Sequence, residues 1–240
     1  MALYRDEAIV LRTQKLGEAD RIITMLTRRT GKVRAVAKGV RRTRSRWGAS
    51  LEPFTRVDLQ CYTGRSLDTV TQAEILDAHS LLGSDYARYT AGTVMLEATD
   101  RLTEEREPTL RLYLLLVGAL GALDDPDRDS ELVLDAFLLR AMSLSGYEPA
   151  IAACARCSDP GPHRSFHVAS GGVVCAGCRP AGAGSPSPAA VTLMGDLLTG
   201  DWSAAVAADR RVRKETSGLV SAYCEFHLDR RLRALAMVPR

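Results

Sequence analysis

The stretch DEAIVLRTQKLGEADRIITMLTRRTGKVRAVAKGV, residues 6–40, decides the fold of this chain. Its β-branched and aliphatic runs read as three strands, and Thr30-Gly31 lies where a tight turn would join the second strand to the third. Two further runs, EPFTRVDLQCYT and LDTVTQAEILDA, follow before residue 80, with Thr63-Gly64 near the turn between them. Five short strands in about eighty residues predict a small closed β-barrel.

The apolar period changes to that of helices from Ser84 onward, where three helices are predicted, the second beginning at Pro108 and the third closing at Gly146. Residues 147–188 are rich in Gly, Pro, Ser and Cys, and helical character returns after them, most clearly in SGLVSAYCEFHLDRRLRALAM. We therefore expect an α+β chain of two domains. Residues 1–80 would form a five-stranded barrel, and residues 81–240 an α-helical domain with an inserted cysteine motif at about 147–188.

The net charge of +3 conceals an asymmetry between the two parts of the chain. Residues 1–80 carry 15 Lys and Arg against 9 Asp and Glu, whereas residues 81–240 carry 17 against 20. The first part is therefore expected to meet an anionic partner. The longest apolar run, Leu112 to Leu123, is shorter than the ~20 residues of a membrane span, and the opening residues do not resemble a signal peptide. These features predict a soluble cytoplasmic protein without a membrane partner.

Two cysteine pairs, Cys154-Ala-Arg-Cys157 and Cys175-Ala-Gly-Cys178, are separated by 17 residues. This spacing is typical of structural zinc ribbons, in which four thiolates close a tetrahedral shell around Zn²⁺. Three alternatives would also account for the cysteines: two redox CxxC motifs, a catalytic zinc such as that of deaminases, and a lost site with cysteines kept for packing. The segment lacks a thioredoxin-like setting and a His-x-Glu motif, so a structural zinc that folds an apolar-poor segment is favoured.

A run of basic residues without any acid extends from Arg28 to Arg46. A solvated charge run is the ordinary interpretation, but small five-stranded barrels of the OB type bind oligonucleotides through a strand face and the adjoining loops. Arginine forks suit phosphate oxygens, and Trp47 could stack on an unpaired base, although packing against its own domain is favoured for it. The candidate DNA-binding residues are Lys32, Arg34, Lys38, Arg41, Arg42, Arg44 and Arg46.

The order of barrel, helices, four-cysteine insertion and terminal helix resembles the RecO recombination mediators of bacteria. The resemblance covers nearly the whole chain. It is carried by residues 6–54, which include Leu16-Gly17-Glu18, Asp20-Arg21, Lys38-Gly39 and Leu51-Glu52-Pro53-Phe54, and by the later stretches SGYEPAIAACARC and YCEFHLDRRLRAL.

The resemblance implies a nucleoid-associated mediator of recombinational repair that is not an enzyme. Such proteins bind single- and double-stranded DNA, anneal complementary strands coated with single-strand-binding protein, and act with RecR to load RecA. They also dock the C-terminal tail of single-strand-binding protein. On this basis Lys38, Arg41, Arg42, Arg44 and Arg46 would track the DNA backbone, while Lys32 and Arg34 line the barrel face. The cysteines Cys154, Cys157, Cys175 and Cys178 match the family's metal ligands.

Other functions remain as alternatives. The chain has no Walker-type GxxxxGK[ST] loop and no persuasive set of nucleophile, base and orienting residue, so ATP hydrolysis is not expected. The second hypothesis is an RNA-binding zinc-ribbon scaffold of transcription or translation, because charge alone does not distinguish DNA from RNA. A zinc hydrolase is the third.

Overall fold

A computed structural model describes residues 2–42, 45, 47–228 and 231–239 of the chain. Its contacts divide the chain into two units, Met1–Pro126 and Asp127–Arg240. The last barrel strand ends at Asp77, and the first two long helices belong to the same unit as the barrel. The domain division at residue 80 stays a prediction.

The barrel of the first unit is closed by five strands in the order β1-β2-β3-β5-β4. All neighbouring strands are antiparallel except β3 and β5, which run parallel and pair at Ala35 with Asp68 and at Val36 with Thr69. This topology confirms the predicted OB-type barrel. The strands are β1 (Leu3–Leu16), β2 (Asp20–Thr27), β3 (Gly31–Ala37), β4 (Arg56–Tyr62) and β5 (Asp68–Asp77).

Alternation along the strands, interrupted by an irregularity in β1 between Val10 and Arg12, separates the barrel interior from its outer surface. Ala8, Val10 and Met25 belong to the buried interior cluster, so their neighbours Ile9 and Leu26 point outward. Both outward residues are nevertheless fully buried, on the side where the first long helix contacts β1. The outer surface of β1 and β2 is therefore a second packing surface, which a barrel considered alone would leave exposed to water.

The turn between β2 and β3 depends on Gly31, which has a φ of 82°. A Cβ at this position would overlap the backbone carbonyl of Glu107, because residues 103–107 pass directly over the start of β3. The Arg106 N–H donates to the Lys32 carbonyl oxygen at 2.8 Å, and Lys32 forms an isolated parallel bridge with Glu105. Only glycine satisfies both the left-handed backbone and this close approach.

Two long helices complete the first unit, α1 (Tyr86–Leu102) and α2 (Leu110–Leu123). Asp85 caps α1 by accepting a hydrogen bond from the Arg88 N–H. The second helix begins two residues later than predicted, at Leu110 after the N-cap Thr109, and Pro108 precedes it. A short 3₁₀ helix, Ser80–Gly83, connects the barrel to α1.

In the second unit, helices α3, α4 and α6 pack on one another, and a small hairpin precedes α4. The predicted terminal helix was too long, since α6 ends at His227 and Arg233–Met237 form a separate 3₁₀ helix. Within the described residues, no helix is both long enough and apolar enough to cross a membrane. The elements are α3 (Ser130–Leu144), β6 (Ser165–His167), β7 (Gly172–Val174), α4 (Pro188–Thr199), α5 (Trp202–Ala207) and α6 (Arg210–His227), with 3₁₀ turns at Val168–Ser170 and Ala176–Cys178.

His79 is a buried, strained histidine at the junction between β5 and the 3₁₀ helix. It is 5% exposed with a φ of 45°, and neither ring nitrogen has a hydrogen-bond partner among the described residues. Burial lowers its pKa below the ordinary 6.5, although the nearby Asp77 and Asp124 oppose this shift. Protonation of His79 is therefore less favourable in the folded state than in the unfolded state.

We expect the free energy of unfolding to fall as the pH drops below 6.5, by at most about 1.4 kcal/mol per pH unit from this residue. His79→Asn, which tolerates the left-handed backbone, should remove this part of the slope between pH 6.5 and 5. Urea unfolding at several pH values measures the difference from wild type. His167→Asn is the control, and an unchanged slope in His79→Asn would contradict the assignment.

Candidate nucleic-acid interface and metal centre

The basic loop, residues 38–47, is fastened to the turn between β1 and β2. The Gly39 N–H donates to Asp20 Oδ1 at 2.7 Å, and Gly39 has a φ of 67° that favours glycine. The Arg41 N–H donates to the Ala19 carbonyl oxygen at 3.0 Å, and Arg41 Nη1 donates to the Glu18 carbonyl oxygen at 2.9 Å. These contacts hold the start of the loop in one conformation beside the hairpin tip.

Three of the predicted DNA-binding residues are exposed on this anchored loop: Lys38, Arg41 and Arg42. None of the three forms an ion pair with a described residue. Their charges are therefore free to interact with an anionic ligand. Arg44 and Arg46, which were also predicted to contact DNA, lie outside the described residues.

The later part of the same connection packs onto the barrel. Trp47 is partly buried against the interior cluster, which agrees with the favoured interpretation of this residue, and Leu51 belongs to that cluster. Glu52 accepts from Arg21 Nη1 at 2.5 Å. The residues that carried the family resemblance, including Asp20-Arg21, Gly39 and Glu52, are therefore those that fasten this connection to the barrel.

Lys32 and Arg34 lie on the outer face of β3, where burial alternates along the strand, but both are engaged within the protein. Lys32 Nζ lies 3.2 Å from Asp100 Oδ1 and donates to the Asp100 carbonyl oxygen at 2.5 Å, and its side chain is only 13% exposed. Arg34 Nη1 lies 3.4 Å from Glu105 Oε1. Contact of these two residues with DNA stays a prediction, and it would require competition with two carboxylates.

Sequence reasoning missed the acidic segment that covers this part of the barrel. Asp100 and Glu105 lie at and beyond the end of α1, and the run Glu104-Glu105-Arg106-Glu107 is visible in the sequence. The acidic composition of this run was the sequence signal that could have indicated a partner for the basic strand. The pairing could not be read from it, because Lys32 and Arg34 are about seventy positions away along the chain.

The four predicted metal ligands come together in the second unit. The sulfur atoms of Cys154, Cys157, Cys175 and Cys178 all lie within 4.8 Å of one another. Cys157 Sγ and Cys175 Sγ are 3.8 Å apart. A tetrahedral ion with metal–sulfur bonds of about 2.3 Å would separate neighbouring sulfurs by about 3.8 Å. The cluster could therefore hold one metal ion.

Backbone hydrogen bonds shape the two cysteine turns. The Ser158 N–H donates to the Cys154 carbonyl oxygen at 2.9 Å, and the Cys178 N–H donates to the Cys175 carbonyl oxygen at 3.1 Å. Hairpin strand β7 leads directly into Cys175, whose N–H donates to Cys154 Sγ at 3.4 Å. The hairpin thus brings the second cysteine pair to the first without a large apolar core in this segment.

The thiols of this cluster influence one another's protonation. The hydrogen bond from the Cys175 N–H lowers the pKa of Cys154 to about 6, while interaction with the Cys157 thiol raises the pKa of Cys178 to about 12. Four neighbouring thiolates repel one another unless a cation lies between them. The donor set is therefore chemically suited to a thiophilic divalent cation.

Cys61 and Cys224, the remaining cysteines, are fully buried, which is typical of cysteines that serve as packing residues. His227 is not part of the four-cysteine cluster. Its ring packs against Tyr223 at a centroid distance of 4.4 Å and against Tyr147 at 5.3 Å.

Fold and site together define a class of protein in which a closed OB-type barrel with an exposed basic loop is joined to a helical unit, and in which four cysteines between α3 and α4 could hold a metal ion. The family model described as Recombination protein O N terminal matches residues 1–79, and that described as Recombination protein O C terminal matches residues 83–236. The chain belongs to the Recombination protein O family, whose members act in DNA repair and recombination.

Two relatives match the whole chain. The DNA repair protein RecO of Thermobifida fusca (strain YX) is 58% identical over 242 aligned residues, which cover 100% of both chains. The DNA repair protein RecO of Frankia casuarinae has the same identity, 58%, and the same complete coverage. The predicted resemblance to the RecO family is thereby confirmed, and the four-cysteine cluster supports the metal-binding type of this family.

Proposed function

We propose that this chain is a non-enzymatic recombination mediator. It binds single- and double-stranded DNA, anneals complementary strands coated with single-strand-binding protein, and acts with RecR to promote RecA loading. The observation that carries this proposal is the anchored basic loop, whose exposed cations Lys38, Arg41 and Arg42 form no ion pair with any carboxylate in the described part of the chain. Family membership supports the repair context.

DNA binding is assigned to residues 1–80, and contacts with protein partners, including the C-terminal tail of single-strand-binding protein, to residues 81–240. Lys38, Arg41, Arg42, Arg44 and Arg46 hold phosphates, which position a strand without reading its bases. Lys32 and Arg34 contribute less, because Asp100 and Glu105 already neutralise them. The basic loop is therefore the principal DNA contact.

The metal in this proposal is one structural Zn²⁺ held by Cys154, Cys157, Cys175 and Cys178. Zinc suits four thiolates in a closed tetrahedral shell, which leaves no open position for a substrate. Its task is to fold residues 147–188, which contain few apolar side chains.

Annealing of complementary DNA strands coated with single-strand-binding protein tests the function most directly. The protein should accelerate formation of duplex in a fluorescence-quenching assay, and addition of RecR should shorten the lag before RecA filaments form. Binding to structured RNA is measured in parallel. No acceleration of annealing, together with tighter binding to RNA than to DNA, would overturn the mediator and favour the RNA-binding scaffold.

A further inference from the structure

Two tyrosines at the start of α1 are unusually exposed. Tyr86 is 62% exposed and Tyr89 is 44% exposed. They occupy positions i and i+3 of the first turn, so both rings project from the same side of the helix. Tyrosine presents a rigid aromatic face with few rotamers, which suits it to binding surfaces more than to contact with water alone.

The Phe54 ring packs against the Tyr89 ring and supports it. The two rings meet edge to face with centroids 5.5 Å apart, and Phe54 is almost fully buried. Phe54 has a φ of 73°, and its N–H donates to the Val10 carbonyl oxygen at 3.1 Å. A Cβ at Gly92, on the next turn of α1, would lie 3.0 Å from the Phe54 ring. The tyrosine pair therefore stands on a packed and preorganised base.

The same chain connection joins this base to the basic loop. It begins at Lys38, is fastened through Glu52 to Arg21 at the start of β2, and ends at Phe54. Phe54 is at most about 7 Å along the chain from Glu52. Arg21 pairs with Ala37, the residue before Lys38, so the start of the basic loop and the base of the tyrosine pair are fixed to the same part of the barrel.

We propose that Tyr86 and Tyr89 form a stacking platform for unpaired bases of the single strand whose phosphates the basic loop holds. The proposal rests on the DNA-binding function proposed above and adds the chemical class of ligand that α1 contacts. An unpaired base offers a free π face to tyrosine, whereas a base inside a duplex is already stacked on both sides. The platform therefore favours single-stranded over double-stranded DNA.

The test compares full-length variants on a fluorescent 20-nucleotide strand and on its duplex. Tyr86→Leu/Tyr89→Leu keeps apolar volume over Phe54 but removes both aromatic faces, and Tyr86→Phe/Tyr89→Phe keeps them. The leucine variant should bind the single strand about 30-fold more weakly, the lower end expected for two stacked bases. Its duplex affinity and its salt dependence should match wild type, since no phosphate contact is lost. The phenylalanine variant should bind as wild type.

Tyr62→Ala is the matched control, because Tyr62 at the end of β4 is also 44% exposed. Quenching of 2-aminopurine placed along the strand should be lost in the leucine variant alone. Unchanged single-strand affinity in that variant, or equal losses on strand and duplex, would overturn the platform while leaving DNA binding intact. A defect only on strands coated with single-strand-binding protein would also overturn it and indicate a protein partner. Wild-type protein that binds no DNA would instead refute the proposed function itself.

Discussion

Replacing Lys38, Arg41 and Arg42 together with glutamine should weaken binding to single-stranded DNA by about 50-fold at 0.15 M salt. Each phosphate contact on a single strand contributes about 0.7 to the slope of log affinity against log salt, so three lost contacts remove about 2 from that slope. The same relation gives a loss of roughly 500-fold at 0.05 M salt. Glutamine removes the charge and keeps a polar side chain, and the backbone hydrogen bonds from Gly39 and Arg41 that hold the start of the loop are retained.

The measurement is a fluorescence-anisotropy titration at four or five salt concentrations. The matched control neutralises three exposed cations of α6, Arg210, Arg211 and Lys214, and so changes the net charge by the same amount. A general charge effect would weaken both variants equally. Equal losses, or a flat salt response in wild type, would remove the basic loop from the account of DNA binding.

Loss of the metal should have the largest structural effect, confined at first to residues 147–188. Apparent binding free energies of structural zinc in small domains are about 10–16 kcal/mol, more than a segment with so few apolar residues can replace. We expect about one zinc per chain, with four sulfur ligands at about 2.3 Å in an X-ray absorption spectrum. The double variant Cys154→Ser/Cys175→Ser should lose the metal and become sensitive to limited proteolysis within this segment.

Cys224→Ala provides the control for this experiment, since Cys224 is fully buried in α6 and lies outside the cluster. It should retain the metal and the protease resistance of wild type. Prolonged chelation should reproduce the behaviour of the double serine variant. A segment that stays protected after metal removal would show that packing alone orders it, and a spectrum with nitrogen or oxygen ligands would point toward a catalytic zinc.

Features encoded by short-range patterns were predictable from the sequence. The barrel strands follow from alternation over seven or more residues, as in β3, where Val33 and Ala35 are buried and Lys32 and Arg34 are directed outward. The cysteine cluster follows from two CxxC turns, since each turn fixes its own pair of thiols. Patterns of this kind are local, so they can be recognised without knowing the tertiary contacts of the segment.

Features that depend on partners distant in sequence were not predictable. Lys32 looked available for DNA because nothing in its own strand neutralises it, and its partner Asp100 lies 68 positions away. Helix ends were also misplaced by a few residues, because the local signals there are weak: Thr109 at the start of α2 forms no side-chain cap hydrogen bond, and the C-cap of α6 is Leu228 rather than glycine. Sequence reasoning therefore missed that Asp100 and Glu105 pair with Lys32 and Arg34, which lowers the contribution proposed for these two cations in DNA binding.

The outward burial of Ile9 and Leu26 has a consequence for the autonomy of the barrel. A fragment ending near residue 80 would keep the five strands but would lack α1 and residues 103–107. Its apolar outer surface and the uncovered start of β3 would then be open to other chains, and such edges promote self-association. The helices that follow the barrel therefore shield this surface from other chains. We expect the smallest barrel fragment that stays monomeric to extend to about Pro126.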